Sequence, residues 1–169
     1  MRIGFGYDSH RFAPGRRLVL GGVEFPGEDG LDGHSDADAL AHAVIDALFG
    51  AAALGDIGSH FPDDDPKWKD ASSTDLLASA AAELSAAGYR VVNVDATVIC
   101  ERPRLRGRVD AMRARLADAL GVDVSSVSVK GKTNERMDDV GAGAGIAVHA
   151  VALIDDASDD GSAAPGRTE

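Results

Sequence analysis

The chain has 169 residues, enough for one domain with a single substantial core. Its apolar content of 44% and charged content of 27% are typical of globular proteins, and a formal net charge of −11 argues against non-specific nucleic-acid binding. No apolar run approaches the length that crosses a bilayer, and the N-terminus lacks the basic-then-apolar pattern of a signal peptide. We therefore expect a cytoplasmic protein with neither nucleic acid nor membrane as a partner.

The sequence predicts strands and helices in mixed order. Apolar periodicity and turn residues predict, in chain order, a strand over 2–12, a hairpin over 18–25, helices over 35–54 and 74–87, a strand over 90–101, a helix over 105–120, and strands over 127–130 and 146–154. Ser35 or Asp36 is the expected N-cap of the first helix. This order predicts an α+β fold, a mixed β-sheet with helices packed on one face. We expect one domain over 1–154 and a disordered acidic tail over 155–169.

Five polar residues in two elements suggest a metal site. Asp8 and His10 alternate in the first strand, so their side chains point to the same face. Asp38, His42 and Asp46 are spaced i, i+4, i+8 and form one polar stripe on an otherwise apolar helix. Asp8, His10 and His42 would together supply two nitrogens and one oxygen, which suits zinc with its fourth position open, and Asp38 or Asp46 would orient an imidazole. The alternatives are a hydrogen-bonded core histidine and a surface Asp-His pair.

Four segments of the sequence resemble one known family. GYDSH, GHSDADALAHAVIDALFGAAALGDIGSHFPDDDP, VKGKTNE and GAGAGIA follow, in order and spacing, the pattern of the 2-C-methyl-D-erythritol 2,4-cyclodiphosphate synthase family. The resemblance covers nearly all of residues 2–154, and its most specific part is LGDIG followed by FPDDDP. It implies a homotrimer of α+β subunits, with the sheets around a central axis and active sites at the subunit interfaces.

The resemblance also implies a reaction and its cofactors. The family converts 4-diphosphocytidyl-2-C-methyl-D-erythritol 2-phosphate to the 2,4-cyclodiphosphate with release of CMP, in non-mevalonate isoprenoid biosynthesis. It implies Zn²⁺, or another divalent metal, on Asp8, His10 and His42, with the β-phosphate in the open position. A second ion, Mg²⁺ or Mn²⁺, would be held mainly by the substrate diphosphate. These cations would allow a chain of net charge −11 to bind a phosphorylated, cytidine-diphosphate-linked ligand.

Further site residues follow from the resemblance one position at a time. His34 and Thr133 are the expected catalytic residues, His34 at the 2-phosphate and Thr133 at the α-phosphate. The expected substrate-binding residues are Ser35, Asp46, Asp56, Gly58, Phe61, Asp63, Asp65, Cys100, Pro103, Arg104, Lys132 and Glu135. Without the resemblance, Ser35 would be a plain N-cap, Asp56 and Gly58 a tight turn, and the acidic run 63–65 a solvated loop.

The chain departs from the family pattern at several positions. Arg104 stands where the family usually has lysine, and Asp139 where many members have an aromatic residue. Ala142 replaces an arginine that holds a phosphate and lines a cavity on the trimer axis, so we do not expect isoprenoid diphosphates to bind there. We hypothesise that Lys132 supplies part of the lost charge. Two other functions fit the residues, a zinc-dependent phosphohydrolase and an inactive trimeric nucleotide- or metal-binding module.

Overall fold

A computed structural model describes residues 1–33, 35–62, 65, 68 and 71–157, and within them the predicted α+β class is confirmed. The strands are β1 (Arg2–Leu20), β2 (Val23–Leu31), β3 (Tyr89–Ile99), β4 (Val127–Lys132) and β5 (Gly145–Asp156). The helices are α1 (Ala39–Ala52), α2 (Ile57–His60), α3 (Ser73–Ala86), α4 (Val109–Leu120) and α5 (Asp138–Gly141), with a 3-10 turn at Val124–Ser126. The strands form one mixed sheet in the order β2-β1-β5-β3-β4, in which only β3 and β4 pair in parallel.

Two glycines in β1 set the distance between the sheet and α1. A Cβ atom added at Gly4 would lie 1.9 Å from the carbonyl oxygen of Ala47, and one added at Gly6 would lie 1.9 Å from that of Ala43. The backbone of α1 therefore rests directly on β1, because no side chain intervenes. Since alternate residues of a strand share a face, positions 8 and 10 of β1 face the same helix. This packing places the predicted metal ligands of β1 beside α1.

Where β1 and β5 pair, the opposite face of the sheet carries apolar side chains that are exposed in the single chain. Ile3, Phe5 and Tyr7 are 74%, 60% and 49% exposed, and Val151 of the neighbouring β5 is 42% exposed. The ring of His149 in β5 lies against the rings of Phe5 and Tyr7, with centroid distances of 5.7 Å and 5.1 Å. Large apolar side chains on adjacent strands thus form a continuous patch of the kind that marks an interaction surface.

The first helix begins later than predicted. Its N-cap is Asp38, so the expectation of Ser35 or Asp36 is wrong. The buried carboxylate of Asp38 accepts from the first-turn amides of α1 and also from the amides of Gly21 and Gly22, at 2.8 Å and 2.7 Å. The carboxylate of Asp38 accepts from amides of both the helix and the β1–β2 turn. Asp38 is therefore the cap, although Ser35 and Asp36 have a similar intrinsic preference for the N-cap position. Ser35 instead has a left-handed backbone, with φ of 53°.

The other element boundaries differ by smaller amounts. The predicted hairpin forms, with Leu20 paired to Val23, and Gly121 ends α4 in the left-handed conformation. The helix predicted from residue 105 begins at Val109, and the four-residue helices α2 and α5 were not predicted. Strand β5 continues to Asp156, two residues past the predicted domain end. Residues 158–169 of the predicted tail lie outside the described residues, so both the tail and the single domain over 1–154 stay predictions. Among the helices that are described, none has the length and apolar character needed to cross a membrane.

Candidate metal centre and substrate site

Asp8, His10 and His42 converge, as the alternation in β1 and the polar stripe on α1 predicted. One ligand atom from each lies within 4.8 Å of the other two. Asp8 Oδ2 is 2.9 Å from His10 Nε2 and 3.2 Å from His42 Nδ1. All three residues are half-buried, so the cluster is partly exposed to solvent. We call these three residues the metal cluster.

Each histidine has its second ring nitrogen bonded away from the cluster. His10 Nδ1 lies against the carbonyl oxygen of Asp32, and His42 Nε2 lies 2.8 Å from Ser73 Oγ. A carbonyl oxygen only accepts, so His10 Nδ1 donates and the neutral ring has Nε2 free to ligate. Two imidazole nitrogens and one carboxylate oxygen, with the rings oriented by outside partners, fit a divalent ion such as zinc. The three donors leave the fourth position for a ligand, as catalytic zinc sites do.

Asp8 and His10 of the metal cluster shift each other's pKa. Burial raises the pKa of Asp8, but hydrogen bonds and charges from His10 and His42 outweigh burial and hold that pKa well below its usual range. The hydrogen bond to Asp8 raises the pKa of His10 despite partial burial of the ring. The carboxylate is thus ionised, with one ring nitrogen of His10 and one of His42 beside it. A divalent cation bound between these three atoms would balance the negative charge of the carboxylate.

The two carboxylates expected to orient an imidazole have other partners, so that expectation is wrong. Asp38 caps α1, as described above, and Asp46 Oδ1 accepts from the amide of Ile57 at 2.8 Å. Asp46 thereby fixes the start of α2 against α1, and burial raises its pKa. The side chain that orients the His42 ring is Ser73, at the start of α3. Nothing in the spacing of the sequence points to Ser73, because the contact spans 31 residues.

The loop before α1 borders the metal cluster. A Cβ atom at Gly33 would fall 2.8 Å from Cε1 of His10, so this part of the loop packs directly on the His10 ring. Arg16 donates to the carbonyl oxygens of Gly33 and Ser35, at 2.7 Å and 2.8 Å. These bonds fix the backbone of Gly33 and Ser35, and the substrate-binding role of Ser35 stays a prediction. His34 lies outside the described residues.

The segment after α1 carries five further predicted substrate residues. Asp56 caps α2 through Ser59, whose amide and hydroxyl donate at 2.8 Å and 2.6 Å, and these bonds lower the pKa of Asp56. Gly58 lies within α2. The Phe61 ring is buried in the core with its centroid 4.9 Å from that of Trp68. Asp65 is described, whereas Asp63 lies outside the described residues.

The remaining predicted residues form a second group at the ends of the parallel strands β3 and β4. We call it the β3–β4 cluster, and its members are Cys100, Pro103, Arg104, Lys132, Thr133 and Glu135. The amide of Cys100 donates to the carbonyl of Lys132 at 2.9 Å, and Thr133 Oγ1 donates to Glu135 Oε1 at 2.8 Å. Burial raises the pKa of the Cys100 thiol to about 11, so this cysteine stays protonated. Members of the β3–β4 cluster are thus held in place by hydrogen bonds to one another.

The two clusters do not meet within one chain. The register aligns Ser9 of β1 with Ala147 of β5, then with Ile99 of β3 and Lys132 of β4. Three interstrand gaps of ~4.8 Å separate β1 from β4, or roughly 14 Å along this row. Among the described residues, no hydrogen bond or ion pair joins a member of one cluster to a member of the other. The two clusters are therefore separate groups of residues in the single chain.

A cavity of about 260 Å³ adjoins the divergent segment 139–145. Tyr7, Ser9 and Arg11 line it from β1, and Asp139 lines it from α5. The guanidinium of Arg11 lies 3.5 Å from the carboxylate of Asp139. Arg11 therefore brings a cation to this cavity, but an acidic partner faces it. The expectation that isoprenoid diphosphates do not bind near Ala142 stays a prediction.

The fold and the donor set together define an α+β protein in which Asp8, His10 and His42 could hold a metal ion. The chain belongs to the YgbB family, whose model matches residues 1–155, and the resemblance inferred from the motifs is confirmed. It is 58% identical over 154 residues to the 2-C-methyl-D-erythritol 2,4-cyclodiphosphate synthase of Symbiobacterium thermophilum, covering 91% of this chain and 98% of that one.

Two further relatives differ in length and in bound ligand. A bifunctional enzyme IspD/IspF of an Anaeromyxobacter strain is 60% identical over 152 residues, and the match covers 90% of this chain but only 39% of that one. The chain thus spans about two fifths of that bifunctional relative. A solved 2C-methyl-D-erythritol-2,4-cyclodiphosphate synthase in its CDP-bound form superposes with a TM-score of 0.84 at 36% identity, covering 91% of this chain and 100% of that one.

Proposed function

We propose that the protein converts 4-diphosphocytidyl-2-C-methyl-D-erythritol 2-phosphate to 2-C-methyl-D-erythritol 2,4-cyclodiphosphate and CMP, as a phosphorus-oxygen lyase of non-mevalonate isoprenoid biosynthesis. The observation that carries the proposal is the convergence of Asp8, His10 and His42 with an open fourth position. The named function of relatives that match over nearly their whole length agrees with it.

The reaction is an intramolecular phosphoryl transfer. An oxygen of the 2-phosphate forms a bond to the β-phosphorus, while the bond from that phosphorus to the bridging oxygen of CMP breaks. The attacking oxygen is already anionic, so no side-chain base has to generate it. Two phosphates that repel each other must be held in line, and this requires positive charge and fixed geometry. A bound divalent cation supplies charge neutralisation at the phosphates.

The residues of this chain divide that work between them. Asp8, His10 and His42 would hold Zn²⁺, and Mg²⁺ or Mn²⁺ would be held mainly by the diphosphate. The loop fixed by Arg16 would bring Ser35, with His34, to the 2-phosphate. The methylerythritol unit would be surrounded by Asp46, Asp56 and Gly58 and by the segment that begins at Phe61. The departure from lysine to Arg104 keeps the positive charge at that position.

The β3–β4 cluster would complete the site from a neighbouring subunit. We infer a homotrimer with the sheets around a central axis, because the two clusters lie roughly 14 Å apart in one chain. The exposed apolar patch of Ile3, Phe5 and Tyr7 supports the same assembly, since it would be covered there. In such a trimer, Thr133 would face the α-phosphate and Cys100 would lie in the segment that binds cytosine. Support for a cytidine ligand comes from the relative solved with CDP. The cytoplasmic location and the exclusion of nucleic acid stay predictions.

Phosphorus NMR tests the proposed activity against its alternatives. The purified protein is incubated with the cytidyl substrate, zinc and magnesium, and we expect a cyclic diphosphate signal with an equal amount of CMP. A zinc-dependent phosphohydrolase would instead release inorganic phosphate from phosphomonoesters. An inactive binding module would bind the substrate and release no CMP. Either of these results would overturn the proposal.

A further inference from the structure

Ser73 lies between the metal cluster and a carboxylate that takes no part in that cluster. It is fully buried at the start of α3, with its hydroxyl oxygen 2.8 Å from His42 Nε2. The same hydroxyl donates to Asp36 Oδ1, and the amide of Ser73 lies 3.2 Å from Asp36 Oδ2. A continuous line of hydrogen bonds therefore runs from Asp36 through Ser73 to His42, whose other ring nitrogen, Nδ1, lies 3.2 Å from Asp8 Oδ2.

Donor and acceptor counting decides the direction of this line. A carboxylate only accepts, so the single hydroxyl proton of Ser73 must point to Asp36. The oxygen of Ser73 is then left to accept, and the proton on the His42 side must belong to Nε2. In the opposite tautomer, Nε2 would carry no proton, and two acceptors, Asp36 Oδ1 and His42 Nε2, would share the one proton of Ser73. The neutral ring is thereby held with its proton on Nε2 and its lone pair on Nδ1.

We propose that Ser73 and Asp36 are positioning residues that hold His42 in the Nε2–H tautomer, so that Nδ1 is presented to the metal. The inference rests on the proposed metal-dependent function. It assigns to His42 the oriented state that His10 receives from the carbonyl of Asp32. Ligand imidazoles held in this way bind metal more tightly, and loss of such a partner typically costs about 10- to 100-fold in metal affinity.

The helix terminus itself does not require the hydroxyl of Ser73. The N-cap of α3 is Ser72, whose Oγ accepts from the amide of Thr74 at 3.3 Å and bonds the Thr74 hydroxyl at 2.6 Å. Two adjacent serines at one helix start thus have different partners, one local and one in the metal cluster. This gives a matched pair of variants, because Ser72→Ala removes a cap while Ser73→Ala removes the bond to His42.

The experiment measures zinc affinity by chelator competition in the full-length protein. We expect Ser73→Ala to weaken zinc binding about 10- to 100-fold, and Ser72→Ala to leave zinc affinity unchanged while lowering the melting temperature. Asp36→Asn should also weaken zinc binding, because its amide NH₂ can donate to Ser73 and turn the hydroxyl proton toward His42. Equal zinc affinity in wild type, Ser72→Ala and Ser73→Ala would overturn the proposal.

Ring-nitrogen NMR tests the tautomer without any variant. In ¹⁵N-histidine-labelled, zinc-loaded wild type, we expect His42 to show a protonated Nε2 and a metal-bound Nδ1. A protonated Nδ1 on the zinc-loaded ring would overturn the proposal even if Ser73→Ala failed to fold. Failure of the proposed function looks different, because wild type would then retain no stoichiometric zinc. Zinc that is retained with the same affinity in Ser73→Ala would refute only the positioning role of Ser73 and Asp36.

Discussion

Gly6 of β1 and Ala43 of α1 are in such close contact that a Cβ atom on Gly6 would lie 1.9 Å from the carbonyl oxygen of Ala43. Both partners in this contact are backbone, so no rotamer change can relieve an added methyl group. The contact lies one residue along α1 from His42 and two residues along β1 from Asp8. The spacing of helix and strand at this point therefore determines whether the metal ligands meet.

The first prediction concerns this contact. Gly6→Ala should lower the free energy of unfolding by about 3 kcal/mol or more, because a packed backbone must separate to admit the methyl group. Chemical denaturation measures the change, and zinc retention should fall with it. Gly107→Ala is the control, since no atom lies within 4 Å of the Cβ position there. Equal stability of the two variants would show that the sheet and α1 are less tightly packed than described.

The second prediction concerns the ligand set. His42→Ala should abolish stoichiometric zinc retention, because it leaves one imidazole and one carboxylate, too few for a stable site. Metal analysis after dialysis measures the zinc content. His60→Ala is the control, since His60 bonds Glu83 and the carbonyl of Leu54 and belongs to no cluster described here. Full zinc content in the His42 variant would refute the ligand set.

The third prediction concerns pH and the metal-free protein. The hydrogen bond to Asp8 raises the pKa of His10, so the protonated ring stabilises the folded state. A raised histidine pKa contributes stability that is fully present below the ordinary value of 6.5 and is lost as pH rises through the raised value. Asp8 contributes no pH dependence over this range, because its pKa is lowered and its carboxyl is ionised throughout.

Urea unfolding with a chelator present checks this sign. The stability advantage of wild type over His10→Asn should shrink as pH is raised from about 6 to about 9. An advantage of the same size at both ends of the range would mean that the Asp8–His10 pair does not hold the extra proton.

The fourth prediction tests whether two subunits share each site. Thr133→Ala should lower kcat by about 10²- to 10³-fold, as loss of a donor at a developing charge does, with zinc content unchanged. His42→Ala and Thr133→Ala should then complement each other when the two chains are co-expressed and assemble together. A site with an intact metal cluster from one chain and an intact Thr133 from the other would arise in about one quarter of cases under random mixing. No recovered activity in mixed trimers would place both clusters in the same subunit's site.

The parts of the site that follow from local geometry were predictable. Strand alternation alone puts Asp8 and His10 on one face, and helical spacing alone puts His42 on a polar stripe. The cap of α1 was not predictable, because Ser, Asp and Asn have similar capping preferences and the choice of Asp38 depends on the distant amides of Gly21 and Gly22. Ser73 was missed for the same reason, since its role exists only once α3 has packed beside α1.

The double role of Asp38 has a consequence for how the molecule opens. One carboxylate holds the first turn of α1 and the tip of the β1–β2 hairpin, so neither can fray without breaking bonds of the other. The hairpin tip and the helix start should therefore belong to one cooperative unit, with amide protons that exchange with solvent through the same opening event. The hairpin turn would in this way be as slow to exchange as the core helix that carries His42.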